Sequence, residues 1–424
     1  MGTVSIPGKS RLLSAEAACL DEIIETQAVR AVYQPIVELD TGRVVGWEAL
    51  ARGPVGSVLE FPDRMFGAAA RLGRTAELDH CCRAAAVAGA ITAGLGRGQE
   101  LFVNVEPDVA GAPVPAFLQQ ARDAAQALRI TVEITERALT VAPAELIALV
   151  EMYRSWGWGI AIDDVGADPR SVALMPLLRP DVIKLDMTFV QEPMTRERAR
   201  VVHAVAAEAE RSGTVVLAEG IEHAEHVAVA KALGATLGQG WHFGRPGALS
   251  PGPGAEGITR TAKPVGLGQD TPFEHLLELR RTRIGTKAQL LQMSLALEEQ
   301  ALLQGESGVL LSTFQEARYF PRSTRERYTR LAAEVALVGA LAQDLDPEPA
   351  PGVRGSALDS DDSLRGEWDV VVLGPHFAGA FVARDLGDAG ADGGRRFEYI
   401  VTYDRNLVVA AATRLTARIA AIRT

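Results

Sequence analysis

The chain has 424 residues, of which 47% are hydrophobic and 23% are charged, and its formal net charge at pH 7 is -11. This composition is ordinary for a globular protein. The length exceeds what one hydrophobic core usually takes, so we expect at least two domains. The acidic charge argues against direct nucleic-acid binding, which usually needs a basic face. It does not exclude a small anionic ligand, because a divalent metal can locally reverse the charge of an acid cluster.

The sequence carries no pattern typical of export or membrane insertion. The N-terminal segment lacks the apolar core of a signal peptide, and no later apolar run is long enough to span a bilayer. The three cysteines, Cys19, Cys81 and Cys82, have no spacing typical of a disulfide framework or a zinc site. Cys81 and Cys82 stand in an Ala-rich run, which favours buried helix positions. We therefore expect a cytoplasmic protein in a reducing compartment, with no membrane partner.

Eight short apolar segments recur in the first 240 residues, and each closes on polar residues. They cover residues 32–37, 44–50, 101–105, 130–136, 159–162, 182–186, 214–218 and 235–239. Ala- and Leu-rich stretches with helical periodicity lie between them, at roughly 63–94, 113–128, 142–156, 170–178, 195–212 and 222–233. Strand and helix alternating about eight times predicts an α/β fold, a (β/α)8 TIM-like barrel.

Polar residues stand at the ends of these predicted strands, which in such a barrel converge on the face that carries catalytic residues. They are Glu48, Asn104, Glu133, Asp163, Asp164, Lys184, Asp186, Glu219 and Gln239. Any one of them alone is most simply a solvated strand end. Several unpaired carboxylates at one end repel each other strongly, and divalent cations are the simplest way to hold them together. Oxygen ligands without His or Cys favour magnesium or manganese over zinc.

With these motifs in order and at compatible spacing, residues 20 to 248 resemble the EAL-domain family of cyclic-di-GMP phosphodiesterases. The motifs are Tyr33-Gln34-Pro35-Ile36-Val37, Glu48-Ala49-Leu50-Ala51-Arg52, Asn104-Val105, Glu133-Ile134-Thr135-Glu136, Asp163-Asp164-Val165-Gly166, Lys184-Leu185-Asp186, Ala218-Glu219-Gly220-Ile221-Glu222 and Gln239-Gly240-Trp241-His242-Phe243-Gly244-Arg245-Pro246.

The resemblance implies metal-dependent hydrolysis of cyclic-di-GMP to linear pGpG at a two-metal site holding Mg²⁺ or Mn²⁺. It implies metal ligands at Glu48, Asn104, Glu133, Asp163, Asp164 and Asp186, with Asp163 bridging the two ions. Glu219 corresponds to the general base, and Lys184 to the residue that positions the attacking water. Substrate contacts are implied for Gln34, Leu50, Arg52, Glu222 and Gln239, and a loop-stabilising role for Glu136. Relatives dimerise through their barrels, so a homodimer is expected.

One stretch departs from the family pattern. After Asp163-Asp164 the family usually has Phe-Gly-Thr-Gly-Tyr-Ser-Ser, whereas this chain reads Val165-Gly166-Ala167-Asp168-Pro169-Arg170-Ser171. Replacing a glycine and adding a proline narrows the backbone conformations available to the loop. Two alternatives to hydrolysis therefore stay open, a receptor that binds cyclic-di-GMP without cutting it and a module that binds a protein partner.

The sequence divides into a barrel with an N-terminal extension over 1–248, a Pro- and Gly-rich linker over 249–269, and a smaller α/β domain over 270–424. In the last part we expect strands at 308–315, 367–375 and 397–403, with helices at 324–342 and 406–422. The runs Leu295-Ala296-Leu297-Glu298-Glu299, Leu311-Ser312-Thr313-Phe314-Gln315 and Val372-Leu373-Gly374 resemble the DICT domain. That resemblance implies a sensory module regulating the barrel, with an unknown signal.

Overall fold

A computed structural model of the chain describes residues 7–106, 109, 112–135, 142–168, 170–252, 258, 270–389 and 391–419, with side chains from residue 14 onward except that of Leu174. Its first part is a closed eight-stranded barrel in the order β1 to β8. The strands are β1 (Arg30–Glu38), β2 (Val44–Arg52), β3 (Glu100–Asn104), β4 (Arg129–Ile134), β5 (Gly159–Val165), β6 (Val182–Leu185), β7 (Val215–Ala218) and β8 (Leu237–Gln239). All eight predicted strands are confirmed.

The first strand runs antiparallel to both of its neighbours, whereas the other neighbouring pairs in the barrel are parallel. The reason is local. Only a short turn joins β1 to β2, with Gly42 in the left-handed region at φ 71°, and a tight turn can connect only antiparallel strands. The hairpin places Gln34 directly opposite Glu48.

Helices cover the outside of the barrel. They are α1 (Pro7–Thr26), α2 (Pro62–Arg71), α3 (Thr75–Thr92), α4 (Ala116–Ala124), α5 (Pro143–Ser155), α6 (Ser171–Leu178), α7 (Thr188–Gln191), α8 (Arg196–Ser212) and α9 (Ala224–Ala232). The stretch predicted as one helix at 63–94 is two, because the chain turns at Gly73 with φ 66°. Leu20 and Ile23 of α1 form a small core with α2 and α3.

One end of the barrel interior is closed by apolar side chains from seven of the strands. They are Ile36, Val45, Phe102, Ala161, Val182, Leu217 and Leu237, and Ile258 from beyond the barrel packs with them. This packed layer leaves the polar side chains on the strands to meet at the other end.

The second part of the chain is a seven-stranded sheet in the order β12-β11-β10-β13-β14-β15-β9. Its strands are β9 (Arg283–Thr286), β10 (Val309–Glu316), β11 (Leu337–Gln343), β12 (Arg354–Ala357), β13 (Glu367–Leu373), β14 (Ala378–Asp385) and β15 (Arg396–Thr402). Strands β10, β11 and β12 are parallel, and the remaining neighbours are antiparallel. Its helices are α10 (Pro272–Leu277), α11 (Lys287–Gln304), α12 (Arg322–Glu334) and α13 (Arg405–Thr416).

The predicted helix at 324–342 is wrong in its second half. The helix α12 ends at Glu334, and the following uncharged run forms β11, buried along most of its length in the sheet. Strands β9, β12 and β14 were not predicted. The predicted strands at 308–315, 367–375 and 397–403 are confirmed as β10, β13 and β15, and the closing helix as α13, with residues from 420 onward outside the described part.

The two faces of this sheet bury different partners. Helices α11 and α12 cover one face, through residues such as Leu297 and Tyr328. Helices α10 and α13 cover the other, and their core is continuous with that of the barrel helices. Helix α13 contacts both α5 and α6, and the amide of Ala144 donates to the carbonyl of Ile419 at 3.2 Å. Across the described part of the chain, no helix is both long and apolar enough to cross a membrane.

Candidate active site

The polar ends of the barrel strands converge on one buried ammonium group. Lys184 lies on β6 and has no exposed surface. Its Nζ lies 2.6 Å from Glu133 Oε1, 2.8 Å from Glu219 Oε1, 2.9 Å from Asp163 Oδ1 and 3.8 Å from Glu48 Oε2. Four strands or strand ends thus bring their carboxylates to one cation, which leaves the cluster with an excess of negative charge.

The protonation of these carboxyl groups reflects burial and their mutual repulsion. Burial raises the pKa of Glu219 to about 8, with Asp163 and Glu48 adding to the effect and Lys184 opposing it. Burial and the charge of Glu48 hold the pKa of Glu133 well above its usual range. Burial also raises the pKa of Glu48, but Lys184 and hydrogen bonds more than offset this, so its pKa lies below the usual value. Burial lowers the pKa of Lys184, and the surrounding acids raise it well above its usual range.

Two amide side chains orient Glu48. The Gln239 side chain at the end of β8 donates to Glu48 Oε2 and, at 3.2 Å, to Gln34 Oε1 on β1. Asn104 Nδ2 at the end of β3 donates to Glu48 Oε1 at 3.1 Å. Gln34 in turn donates to the Gly244 carbonyl at 3.1 Å. Both carboxylate oxygens of Glu48 are therefore held in one orientation, which a metal ligand or an ion-pair partner requires.

A bulge in β5 turns two consecutive aspartates toward the site. Successive residues of a strand normally face opposite ways. Here the pairing with β6 slips between Ile162 and Val165, and Asp164 adopts the left-handed region at φ 53°. As a result, Asp163, Asp164 and Glu219 can each place one carboxylate oxygen within 4.8 Å of the others.

This donor set fits a hard divalent cation. The candidate ligands are oxygen atoms, and the buried carboxylates outnumber the one ammonium among them. Magnesium and manganese prefer such ligands, whereas zinc sites usually include His or Cys.

A cleft of about 300 Å³ opens onto the cluster. Of the predicted site residues, those that line it are Gln34, Glu48, Asp164, Asp186, Glu219, Glu222 and Gln239. Asp186 Oδ1 accepts the amide of Thr188 at 2.9 Å, and Glu222 is exposed at the rim.

Two predicted residues lie elsewhere, and a third falls outside the part of the chain that the structure describes. Leu50 lines a second cleft of about 260 Å³ that also borders Glu48 and Asn104. Arg52 is the last residue of β2 and donates to the Ala51 carbonyl at 2.8 Å, and it does not line the cleft of about 300 Å³. Glu136 lies outside the described residues. Like the roles of the other predicted site residues, those of Leu50, Arg52 and Glu136 stay predictions.

Some residues at the site were not predicted from the sequence. Met187, Gln191 and Trp241 line the cleft of about 300 Å³. The second cleft, of about 260 Å³, is lined by Asp79 and Arg83, which form a buried ion pair at 2.6 Å, and Asp79 accepts the amide of Glu106 just after β3. An Asp and an Arg four residues apart within an Ala-rich helix were the available signal for this pair.

The loop after Asp164 is closed by a serine. Ser171, the first residue of α6, is fully buried; its Oγ accepts the amide of Gly166 at 3.0 Å and donates to the Asp168 carbonyl at 2.7 Å. Arg170 pairs with Asp168 through Nη2 at 2.9 Å. The loop and α6 are therefore one connected unit. Helix α6 packs against α13 and against the turn Gly305–Ser307 of the second sheet unit.

Comparison with known proteins gives matches over both parts of the chain. Residues 17–246 match the EAL domain, and residues 273–386 match the sensory domain in diguanylate cyclases and two-component systems, DICT. The cyclic di-GMP phosphodiesterase NbdA of Pseudomonas aeruginosa is 30% identical over 222 residues, covering 50% of this chain and 28% of that protein. The cyclic di-GMP phosphodiesterase RocR of the same organism is 32% identical over 227 residues, covering 51% and 57%.

Among solved structures, the manganese/cy-diGMP complex of Klebsiella pneumoniae BlrP1 at pH 9.0 has 30% sequence identity to this chain. The TM-score is 0.46, and the match covers 52% of this chain and 56% of that one. The chain thus spans from about a quarter to somewhat over half of the length of these relatives. Because the EAL match covers more than half of its 424 residues, the chain belongs to the EAL domain family, and it carries a DICT domain after the barrel.

Proposed function

We propose that this protein is a phosphodiesterase that hydrolyses cyclic-di-GMP to linear pGpG with Mg²⁺ or Mn²⁺, and that the DICT domain regulates it. The observation that carries the proposal is the buried Lys184 surrounded by the carboxylates of Glu48, Glu133, Asp163 and Glu219 at the mouth of a cleft. A site built only to bind a nucleotide has no need for so many buried acids, since they repel its phosphates.

In this proposal the metal ligands are Glu48, Asn104, Glu133, Asp163, Asp164 and Asp186. Bound Mg²⁺ or Mn²⁺ would supply Lewis-acid activation of water and neutralise phosphate charge. Gln239 and Asn104 hold the oxygens of Glu48 in direction, so that this ligand is oriented before metal or substrate arrives.

Glu219 and Lys184 would carry the proton and charge chemistry. Burial raises the pKa of Glu219 to about 8, which makes its carboxylate form more basic, the property that a general base needs. The ammonium of Lys184 stays charged, holds Glu219 at 2.8 Å, and would stabilise negative charge developing on the phosphate. Gln34, Glu222 and Gln239 line the cleft, where they would orient the substrate.

Contacts between the two domains support the regulatory part of the proposal. Helix α6 is fastened through Ser171 to the loop that follows Asp163 and Asp164, and α6 packs against α13 of the DICT domain. A shift of α13 would therefore move α6, and α6 would in turn move the proposed metal-binding loop. The homodimer expected from the resemblance stays a prediction, which a mass measurement in solution can check.

The test is chromatographic. Purified protein is incubated with cyclic-di-GMP and Mg²⁺ or Mn²⁺, and pGpG is expected to form and to disappear when a chelator is added. Glu219→Gln is expected to slow turnover by roughly 10²- to 10⁴-fold, the usual contribution of a general base. Glu225→Gln, at an exposed position in the first turn of α9, is the matched control and should keep the wild-type rate.

Three results would redirect the proposal. Wild-type turnover in Glu219→Gln would remove that residue from its assigned role. Tight binding of intact cyclic-di-GMP without any pGpG would favour the receptor alternative and point to the loop 165–171. Absence of nucleotide binding by calorimetry would favour the protein-binding alternative.

A further inference from the structure

An exposed tryptophan stands at the rim of the candidate active site without a role in the chemistry described above. Trp241 is 53% exposed and lines the cleft that holds Glu219 and Gln239. The other four tryptophans are buried or partly buried. A large apolar ring left in solvent beside a cluster of acids suggests a ligand that is both anionic and aromatic.

The backbone that carries this ring is held rigidly. Gly240 adopts φ 153°, and a Cβ there would lie 2.1 Å from the Ile221 carbonyl oxygen, so only glycine permits this close approach. On either side of Gly240, the Ile221 amide donates to the Gln239 carbonyl at 3.0 Å, and the His242 amide donates to the Ile221 carbonyl at 2.9 Å. The segment is thereby pinned to the chain just after Glu219.

The ring itself is also oriented. The guanidinium carbon of Arg245 lies 4.0 Å from the centroid of the Trp241 ring, a cation–π contact that occupies one face. Because the side chain still lines the cleft and is half exposed, surface remains for a second planar group. Met187, itself 46% exposed, lines the same cleft and adds a second apolar side chain at its mouth.

We infer that Trp241 stacks against one guanine base of the substrate and so contributes to its affinity. This inference rests on the proposed function. Every nucleobase offers a flat π-surface, and a preoriented aromatic ring binds it with little loss of side-chain entropy. Arg245, behind the ring, adds a positive charge near the rim of an otherwise acidic site.

The first test is tryptophan fluorescence in the non-hydrolysing Glu219→Gln protein. Addition of cyclic-di-GMP with Mg²⁺ is expected to quench the emission, and the quench is expected to be lost when Trp241→Phe is added. An equal quench in the double variant would assign the signal to another tryptophan and overturn the inference.

The second test measures affinity and kinetics. Trp241→Ala is expected to raise the calorimetric Kd, and the KM of active protein, by roughly 5- to 150-fold with kcat little changed, the effect of losing one base–aromatic stack. Trp241→Phe should keep most of the affinity. Leu303→Ala, at a 75% exposed position on α11, is the control for loss of an exposed apolar side chain.

The outcomes separate this inference from the proposed function. If wild-type protein binds no cyclic-di-GMP, both fail. If it binds and Trp241→Ala has a wild-type Kd, the inference alone fails and the proposed function stands.

Discussion

Lys184 balances the charge of the acidic end of the barrel. Its ammonium is fully buried and lies within 3 Å of three carboxylates, those of Glu133, Glu219 and Asp163. Removing one partner of a buried ionic network leaves charge without compensation, which costs far more than losing an exposed ion pair. The stability of the metal-free barrel should therefore depend on this one side chain.

We expect Lys184→Met to lower the free energy of unfolding in chelator by about 3–5 kcal/mol, measured by denaturant titration. Added Mg²⁺ or Mn²⁺ should narrow the gap from wild type, because a divalent cation can take over the charge balance. Lys231→Met removes an exposed pair with Asp40 and should change the free energy by at most about 1 kcal/mol. Equal effects of the two substitutions would contradict the central role of Lys184.

At this scale the sequence predicted which residues stand at the strand ends but not how they meet. The apolar runs marked Glu48, Glu133 and Glu219 because a strand ends where polar residues begin. The sequence did not predict that Lys184 would lie at the centre of the acids. Nor did it predict which of the two clefts each residue would line, since a side chain's direction depends on its register against neighbouring strands.

Strand β13 of the DICT domain carries two buried carboxyl groups on one face. Glu367 and Asp369 are two residues apart and are 3% and 0% exposed. The Thr271 hydroxyl and the Phe273 amide donate to Glu367, which fixes the start of α10 to the sheet. Among the described residues, no basic side chain pairs with either carboxyl group.

Burial raises the pKa of Glu367 to about 7, and burial and the charge of Glu367 hold the pKa of Asp369 well above its usual range. Between the ordinary pKa of Glu367 near 4.5 and its raised value near 7, the folded protein binds more protons than the unfolded chain. Stability therefore falls as the pH rises through this interval.

We expect the melting temperature of Glu367→Gln to fall less between pH 5 and pH 8 than that of wild type, measured by differential scanning calorimetry. The contribution of the raised pKa of Glu219 is present in both proteins and cancels in the difference. Glu299→Gln, at an exposed position of α11, is the control and should follow the wild-type curve. An unchanged pH dependence in Glu367→Gln would contradict the shared burial of the pair.

Helices and strands were predicted correctly where their pattern of apolar residues was compatible with only one type of secondary structure. The barrel strands are short, apolar and closed by polar residues, and all eight were found. The run that forms β11 follows directly on α12, with little charge and no strong turn signal, so periodicity alone could not separate a helix from a buried strand. The antiparallel course of β1 depended on the length of one turn, which the alternation of elements does not reveal.

At the scale of the whole molecule, the two domains meet around the loop that follows the aspartate pair. A cleft of about 580 Å³ lies between them, lined by Asp168 and Arg170 of the barrel and by Ala336 and Arg354 of the DICT domain. Ala336 also packs against the core that the two domains share. A change in the position of the DICT domain would therefore alter the contacts of the barrel loop that lines this cleft.

We expect Ala336→Trp, which places a large ring in the cleft, to change the rate of pGpG formation by roughly 2- to 30-fold, the usual range of coupling between sites. Ala296→Trp is the matched control, because Ala296 is exposed on α11, which covers the opposite face of the sheet. Both variants should first be shown to fold by circular dichroism. A wild-type rate of pGpG formation in Ala336→Trp would argue against regulation through this contact.

Because the hydrophobic core is continuous between the barrel and the DICT domain, neither domain can be separated from the other without exposing apolar surface. Val408, Ala411, Ala412 and Leu415 of α13 belong to one hydrophobic cluster with Val172 of α6. A barrel cut free at the linker would expose the outer side of α5 and α6 to water, and an isolated barrel that aggregates would say nothing about signalling. Exchanging the sensor for another domain would therefore require a new surface on α6.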